Sequence, residues 1–129
     1  MEKETLLHRQ VHPSFVQADK ISVQVFITSQ VFKSTPKDNN KLSVYNSEKF
    51  TAKESFFHFI SEPKNNSIGV VSVNLKECSL EELNVVEDNL PFDGHCYIDF
   101  KDLTPNQVEK KAKKLKIAAI NRGWQYKSE

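Results

Sequence analysis

Residues 68–75 of the chain read Ile68-Gly69-Val70-Val71-Ser72-Val73-Asn74-Leu75. The stretch is rich in β-branched residues, and apolar side chains fall on both of its faces at the start. This composition is typical of an inner strand that is covered on both sides. We therefore expect a strand in the middle of a sheet, with neighbouring elements that cover its two faces.

Alternation with a period of two predicts further strands on either side of this stretch. The clearest run is 21–27, because Ile21, Val23, Val25 and Ile27 occupy every second position, as in a strand with one buried face. Residues 31–32 are expected to extend this strand beyond a kink. Shorter strands are expected over 5–11, 42–45, 85–86 and 95–100, and the turn-forming residues of 34–40 predict a loop.

Two helices are predicted from their capping signals. Thr51 with Glu54, and Thr104 with Gln107, have the spacing of a capping box, in which the two side chains bind backbone amides reciprocally. The first helix ends before Pro63, because proline cannot continue a helix. The second spans about 105–121 and buries one stripe, formed by Val108, Ala112, Leu115 and Ala119. A single capped turn is expected over 79–83.

These elements predict one α+β domain over residues 1–129, with a single mixed or mainly antiparallel sheet of about five or six strands packed by two main helices. Hydrophobic residues make up 38% of the 129 and charged residues 27%, which excludes a wholly disordered chain. The apolar runs are too short for a membrane helix. The formal net charge of +1 provides no overall field that would recruit nucleic acid or acidic lipid.

The cysteines and the first residues indicate a compartment. Met1-Glu2-Lys3-Glu4-Thr5 lacks the pattern of a secretory signal, so a cytoplasmic protein is expected. Cys78 and Cys96 are the two cysteines and have no metal-ligand spacing, which indicates buried thiols rather than a disulfide framework or a zinc site. Neither a cofactor nor a metal is expected, and no membrane association.

A polar site is predicted from residues that suit an anion. Arginine forks and hydroxyl groups bind phosphate or carboxylate, and histidine can move a proton. The candidate residues are Arg9, His12, Ser29, Lys37, Asp38 and Tyr45. An arginine on the first strand with a Thr-Ser pair on the next is similar to ADP-ribosyltransferase folds, which implies NAD chemistry. The sequence lacks the paired glutamates of a late strand in those folds, so a small enzyme or nucleotide binder is kept as an alternative.

A protein-binding surface is the leading hypothesis. No complete catalytic motif is present in the sequence, which favours a noncatalytic module over an enzyme. The candidate contact residues are aromatic: Phe32, Phe57, Trp124 and Tyr126. A protein partner is therefore expected, and the oligomeric state is left open.

Five lysines within seven residues of the last helix support a third hypothesis. Such a density can place ammonium groups along a phosphate backbone, so Lys110, Lys113 and Lys114 are candidate nucleic-acid contacts. Amphipathic helices also commonly carry a solvated lysine face, and no RNA- or DNA-binding signature accompanies this one. Nucleic-acid binding is thus an alternative to protein docking.

Four stretches carry a resemblance that covers most of the chain. They read Leu7-His8-Arg9-Gln10-Val11-His12-Pro13, Thr35-Pro36-Lys37-Asp38, Leu42-Ser43-Val44-Tyr45 and Arg122-Gly123-Trp124-Gln125-Tyr126. The pattern resembles a group of small bacterial proteins that has no assigned activity. Proteins of this type are often accessory or immunity-type subunits of defence or toxin loci, so the resemblance implies an accessory role, for example in antiviral defence.

Overall fold

The computed structural model describes residues 1–18, 25–34 and 38–128. Within them lie eight strands and three α-helices. The strands are β1 (Leu6–Gln10), β2 (Val16–Ala18), β3 (Val25–Ile27), β4 (Lys41–Asn46), β5 (Gly69–Asn74), β6 (Asn84–Val86), β7 (His95–Asp99) and β8 (Tyr126–Lys127). The helices are α1 (Ala52–Ile60), α2 (Leu75–Leu80) and α3 (Pro105–Arg122).

Six of these strands form one antiparallel sheet in the order β6-β7-β4-β1-β5-β8, and β2 pairs with β3 as a separate ribbon. The predicted α+β class, with a mainly antiparallel sheet and two main helices, is confirmed. The predicted central strand, β5, is an inner strand with all six residues buried. It is not at the centre of the sheet, because only the two-residue strand β8 lies beyond it.

The two long helices lie on opposite faces of the sheet. Val71 and Val73 join the core cluster beneath α3, which supplies its predicted stripe of Val108, Ala112, Leu115 and Ala119. Gln10 points to the other face, where its Nε2 donates to Ser55 Oγ of α1 at 3.1 Å. Burial on both faces explains why β5 has a nearly continuous apolar sequence instead of an alternating one.

Local capping hydrogen bonds begin all three described α-helices. The predicted boxes of Thr51 with Glu54 and Thr104 with Gln107 are both present. A third box begins α2, in which Asn74 caps the amide of Glu77. The prediction of a single turn at 79–83 was therefore wrong in its bounds, because the cap lies five residues earlier, directly at the end of β5.

The segment after β3 differs from its prediction. Residues 31–32 were expected to extend a strand, but Ser29–Phe32 is a 3-10 helix that turns Val31 and Phe32 into the core. Of the strand predicted over 21–27, residues 25–27 are observed as β3, and residues 21–24 lie outside the described part of the chain. The apolar alternation could not reveal this turn, because both a strand and a short helix can bury two adjacent side chains.

Candidate functional site

A cavity of about 380 Å³ opens on the sheet face that carries α1. Its floor is formed by side chains of β4 and β7, including Tyr45 and His95, which are opposite each other in the strand register. The end of α1 supplies His58 on one side, and Phe92 comes from the loop before β7 on the other. The cavity therefore lies where one helix and one loop approach the middle of the sheet.

A cluster of aromatic rings forms one part of the cavity wall. Phe92 stacks on Tyr45 with ring centroids 5.0 Å apart and planes inclined by 28°. It also lies 4.4 Å from the ring of His58 and 5.4 Å from that of His95. Phe50 packs edge-on against Tyr45, with ring centroids 4.9 Å apart. Offset and edge-to-face pairs of this kind stabilise a rigid aromatic surface.

The phenol of Tyr45 is held as a hydrogen-bonding group. Its oxygen lies 2.9 Å from Nδ1 of His58, and only 7% of the residue is exposed. Burial raises the pKa of Tyr45 to about 12, so the phenol keeps its proton at neutral pH. The pair therefore links α1 to β4 and sets the orientation of the His58 ring at the cavity mouth.

A carboxylate orients the second histidine. Nδ1 of His95 lies 2.7 Å from Asp88 Oδ1. Both side chains are largely buried, with 13% of His95 and 26% of Asp88 exposed. Because Nδ1 is engaged by the carboxylate, Nε2 is the nitrogen through which this ring can bind a ligand. An imidazole held in this way can accept or donate a proton there.

Backbone geometry fixes the loop that carries Phe92. Asn89 adopts a φ of 52°, and its side-chain Oδ1 accepts from the amide of Gly94 at 2.9 Å. The amide of His95 in turn donates to the Phe92 carbonyl at 3.2 Å. Gly94 has a φ of 100° and lies against Phe50, so a side chain there would meet both a strained backbone and the aromatic ring.

Arg9 occupies the point where β1 leaves β4. The pairing of these strands ends at His8 and Tyr45. Beyond it, the Arg9 guanidinium donates from Nε to the Val31 carbonyl at 2.8 Å and from Nη1 to the Ser43 carbonyl at 3.0 Å. Burial lowers the pKa of Arg9 to about 10, and the charge of Asp38 opposes that shift. The guanidinium is therefore fixed in position and still cationic at neutral pH.

A second, smaller chamber of about 230 Å³ lies beside the first. The two share the side chains of Arg9, Gln10, Phe59 and Asn65. The second chamber is further lined by His12, Phe15, Lys64 and Asn66. The first chamber thus contains the cluster of rings around Phe92, whereas the second adds the basic groups of His12 and Lys64 to the shared Arg9.

The six residues of the predicted polar site do not all lie together in the structure. Arg9 and Tyr45 line the first chamber, and Arg9 with His12 lines the second. Asp38 influences this region through its charge on Arg9. Ser29 lies elsewhere, since its Oγ donates to Glu109 of α3 at 2.9 Å. Lys37 lies outside the described residues.

The four residues of the predicted aromatic contact surface differ in their exposure. Phe32 is fully buried, so the prediction that it contacts a partner was wrong; the 3-10 turn places its ring in the core. Trp124 is half-buried and packs against the core. Phe57 is 50% exposed and lies beside Tyr126, with ring centroids 6.0 Å apart. These last two therefore remain together at the surface.

The three candidate lysines lie on the solvent side of α3. Lys110, Lys113 and Lys114 are all exposed, and Lys113 approaches Glu109 at 3.9 Å. Ile117 and Ile120 continue this face one turn further and are 52% and 49% exposed. The sequence analysis identified the lysines but not the apolar end of the same face.

Four functional candidates were not identified from the sequence: His58, Asp88, Phe92 and His95. Helical spacing placed His58 beside the buried stripe, and strand alternation placed His95 on the face opposite Cys96, so both were visible as polar side chains next to apolar ones. The approach of Phe92 to both histidines depends on the conformation of its loop, for which the sequence has no spacing rule.

Comparisons with protein-family models, curated proteins and solved structures found no match to this chain. Within residues 1–18, 25–34 and 38–128, no group of three or more His, Cys, Asp or Glu side chains is placed to hold a metal ion. None of the helices described is both long and apolar enough to cross a bilayer.

Proposed function

We propose that this protein binds a small aromatic ligand in the first chamber. The observation that carries the proposal is the ring cluster of Tyr45, His58, Phe92 and His95 around one cavity of about 380 Å³. Ligand pockets have volumes of about 300–1,000 Å³ and combine apolar walls with a few polar groups. This cavity is at the small end of that range, which suits a single heterocycle or nucleoside.

The polar groups of the chamber are positioned for recognition. His95 is held by Asp88 and His58 by Tyr45, each through Nδ1, so the Nε2 side of each ring is left for a ligand. A ligand ring that packs on Phe92 would lie between these two histidines. Because the side chains are already fixed, little conformational entropy is lost when a ligand binds.

We expect Phe92→Ala to weaken the binding of an aromatic probe by about two- to tenfold, because a lost aromatic contact is worth about 0.5–1.5 kcal/mol. Adenosine, indole and benzoate serve as probes, and binding is measured by NMR shifts of the histidine and aromatic resonances. Phe57→Ala is the matched control, since Phe57 lies on α1 but does not line the cavity. The proposal fails if none of the probes shifts the resonances of His58, Phe92 and His95.

We also propose a docking function for the outer face of α3, defined as Lys110, Lys113, Lys114, Ile117 and Ile120. The specific observation is that exposed isoleucines continue a row of exposed lysines, and that Leu80, 70% exposed, lines a groove with Lys114 and Ile117. An acidic amphipathic helix complements both halves of this face. Phosphate binding by nucleic acid would use the lysines but not the isoleucines, so a protein segment is favoured.

A synthetic helical peptide with leucine at every third or fourth position and glutamate elsewhere is expected to bind this face. Affinity is measured by fluorescence anisotropy, and both Ile117→Ser and the double change Lys110→Glu with Lys113→Glu are expected to weaken it severalfold. Lys53→Glu on α1 is the control for a charge reversal away from this face. A short DNA duplex that binds more tightly than the peptide and is insensitive to Ile117→Ser would instead support the nucleic-acid alternative.

The docking proposal fits the accessory role that the sequence resemblance implies. We further propose a cytoplasmic location, which is supported by the free thiols of Cys78 and Cys96, both buried. Burial raises the pKa of each thiol to about 12, so the two remain protonated and unreactive. Free cysteines of this kind are compatible with a reducing compartment.

A further inference from the structure

We infer that the second chamber binds the phosphate group of a ligand whose aromatic ring lies in the first chamber, so that the ligand belongs to the class of nucleoside monophosphates. This inference rests on the proposed aromatic binding site and names its substrate class. The two chambers meet at Arg9, Gln10, Phe59 and Asn65. A ligand that filled both would therefore pass directly over Arg9.

The lining of the second chamber has the charge that a phosphate requires. Arg9 and Lys64 are cationic, and His12 and Asn66 add ring and amide hydrogen-bonding groups. Among the described residues, the lining of this chamber includes no carboxylate, whereas Glu62 lines the first. The charge of Asp38 acts on Arg9 from outside the lining, so Lys64 supplies the cation that no described carboxylate of the chamber offsets. Two cations with additional hydrogen-bonding groups suit the double charge of a phosphate monoester better than the single charge of a carboxylate.

The guanidinium of Arg9 is pre-oriented for this role. Its Nε and Nη1 donate to the carbonyls of Val31 and Ser43, which fixes the plane of the group. A fixed guanidinium loses less side-chain entropy when it binds an anion than a free one. Its position at the junction of the two chambers places it beside the ribose ester that would join the base to the phosphate.

The sizes of the chambers agree with this division. The aromatic chamber, at about 380 Å³, is larger than the basic one, at about 230 Å³. A base with its ribose is larger than a phosphate group, so the two parts of a mononucleotide match the two volumes in order. A dinucleotide would require a second chamber as large as the first, and the second chamber is smaller, at about 230 Å³.

Calorimetric titration of the full chain with adenosine and with adenosine monophosphate tests the inference. We expect the monophosphate to bind at least about tenfold more tightly, with an affinity that decreases as salt increases. Lys64→Gln removes an exposed cation from the second chamber without removing a core contact. It is expected to weaken the monophosphate about threefold to tenfold and to leave adenosine unchanged, while Lys53→Gln serves as the matched control.

Each outcome separates this inference from the proposed function. Equal affinities for adenosine and its monophosphate would overturn the phosphate site and leave the aromatic site standing. If adenosine-5′-carboxylic acid binds as tightly as the monophosphate, the site accepts anions in general, and the assignment to phosphate is overturned. Inorganic phosphate that binds with full affinity, combined with monophosphate binding that is unaffected by Phe92→Ala, would show an anion site unconnected to the aromatic chamber.

Discussion

Gly94→Ala is expected to lower the free energy of unfolding by about 3 kcal/mol, as the sum of backbone strain and overpacking. Gly94 has a φ of 100°, a conformation that L-residues rarely adopt. A Cβ atom there would lie 2.7 Å from Cε2 of Phe50 and 2.8 Å from Cβ of Lys49. The ring of Phe50 would have to move, and it supports Tyr45 and Phe92 in the cavity wall.

Gly123→Ala provides the matched control for this change. Gly123 also has a positive φ, of 87°, but nothing lies within 4 Å of the position that a Cβ would take. This variant therefore has the backbone strain alone, about 1–3 kcal/mol, because a φ of 87° with a ψ of 172° is a conformation that essentially only glycine adopts. Urea unfolding of both variants gives the comparison, and equal losses of stability would show that the contact with Phe50 is not tight. Loss of aromatic-probe binding in Gly94→Ala alone would further connect the glycine to the cavity.

Acidification is expected to destabilise the fold by about 3 kcal/mol between pH 6.5 and pH 4 through His8 alone. His8 is 3% exposed, and Nδ1 lies 2.7 Å from Ser72 Oγ. Burial lowers its pKa from 6.5 to about 4, although a hydrogen bond to the Phe50 backbone opposes that shift. The neutral ring can accept from the Ser72 hydroxyl at one nitrogen and donate at the other.

The sign of this effect follows from the two pKa values. In this range the unfolded chain binds the proton more strongly than the native one, so protonation favours unfolding. The contribution of His8 is fully present above pH 6.5 and is lost as the pH falls towards 4. Urea unfolding across this range measures it, and His8→Gln, which keeps a donor and an acceptor without titrating, is expected to flatten the profile. Parallel profiles for the variant and the wild type would contradict the assignment to His8.

The sequence predicted those features of the site that depend on single residues. Arg9 and Tyr45 were recognised because arginine and tyrosine are chemically suited to a polar site, and both line the cavity. Ser29 was grouped with them by chemistry alone, but the tertiary structure places it against Glu109 of α3. Chemical suitability identifies candidate groups, whereas only the folded chain determines which of them share a cavity.

The ring cluster shows most clearly which features of the site local sequence patterns cannot predict. Tyr45 and His95 become opposite neighbours through the pairing of β4 with β7, although they are 50 positions apart in the sequence. Phe92 joins them because its loop is held by Asn89 and Gly94. Neither the strand partner nor the loop conformation has a local signal in the sequence, so His58, Phe92 and His95 could not be grouped beforehand.

The sequence by itself determined where the main helices begin, which stripe of α3 is buried and which residues carry the charge of its outer face. Capping hydrogen bonds and helical periodicity act over three or four residues, so they can be recognised along the chain. The tertiary structure alone decided that β5 is not central, that Phe32 is buried and that two chambers meet at Arg9. These features depend on strand order and register, which follow from the free energy of packing segments that are distant in the sequence.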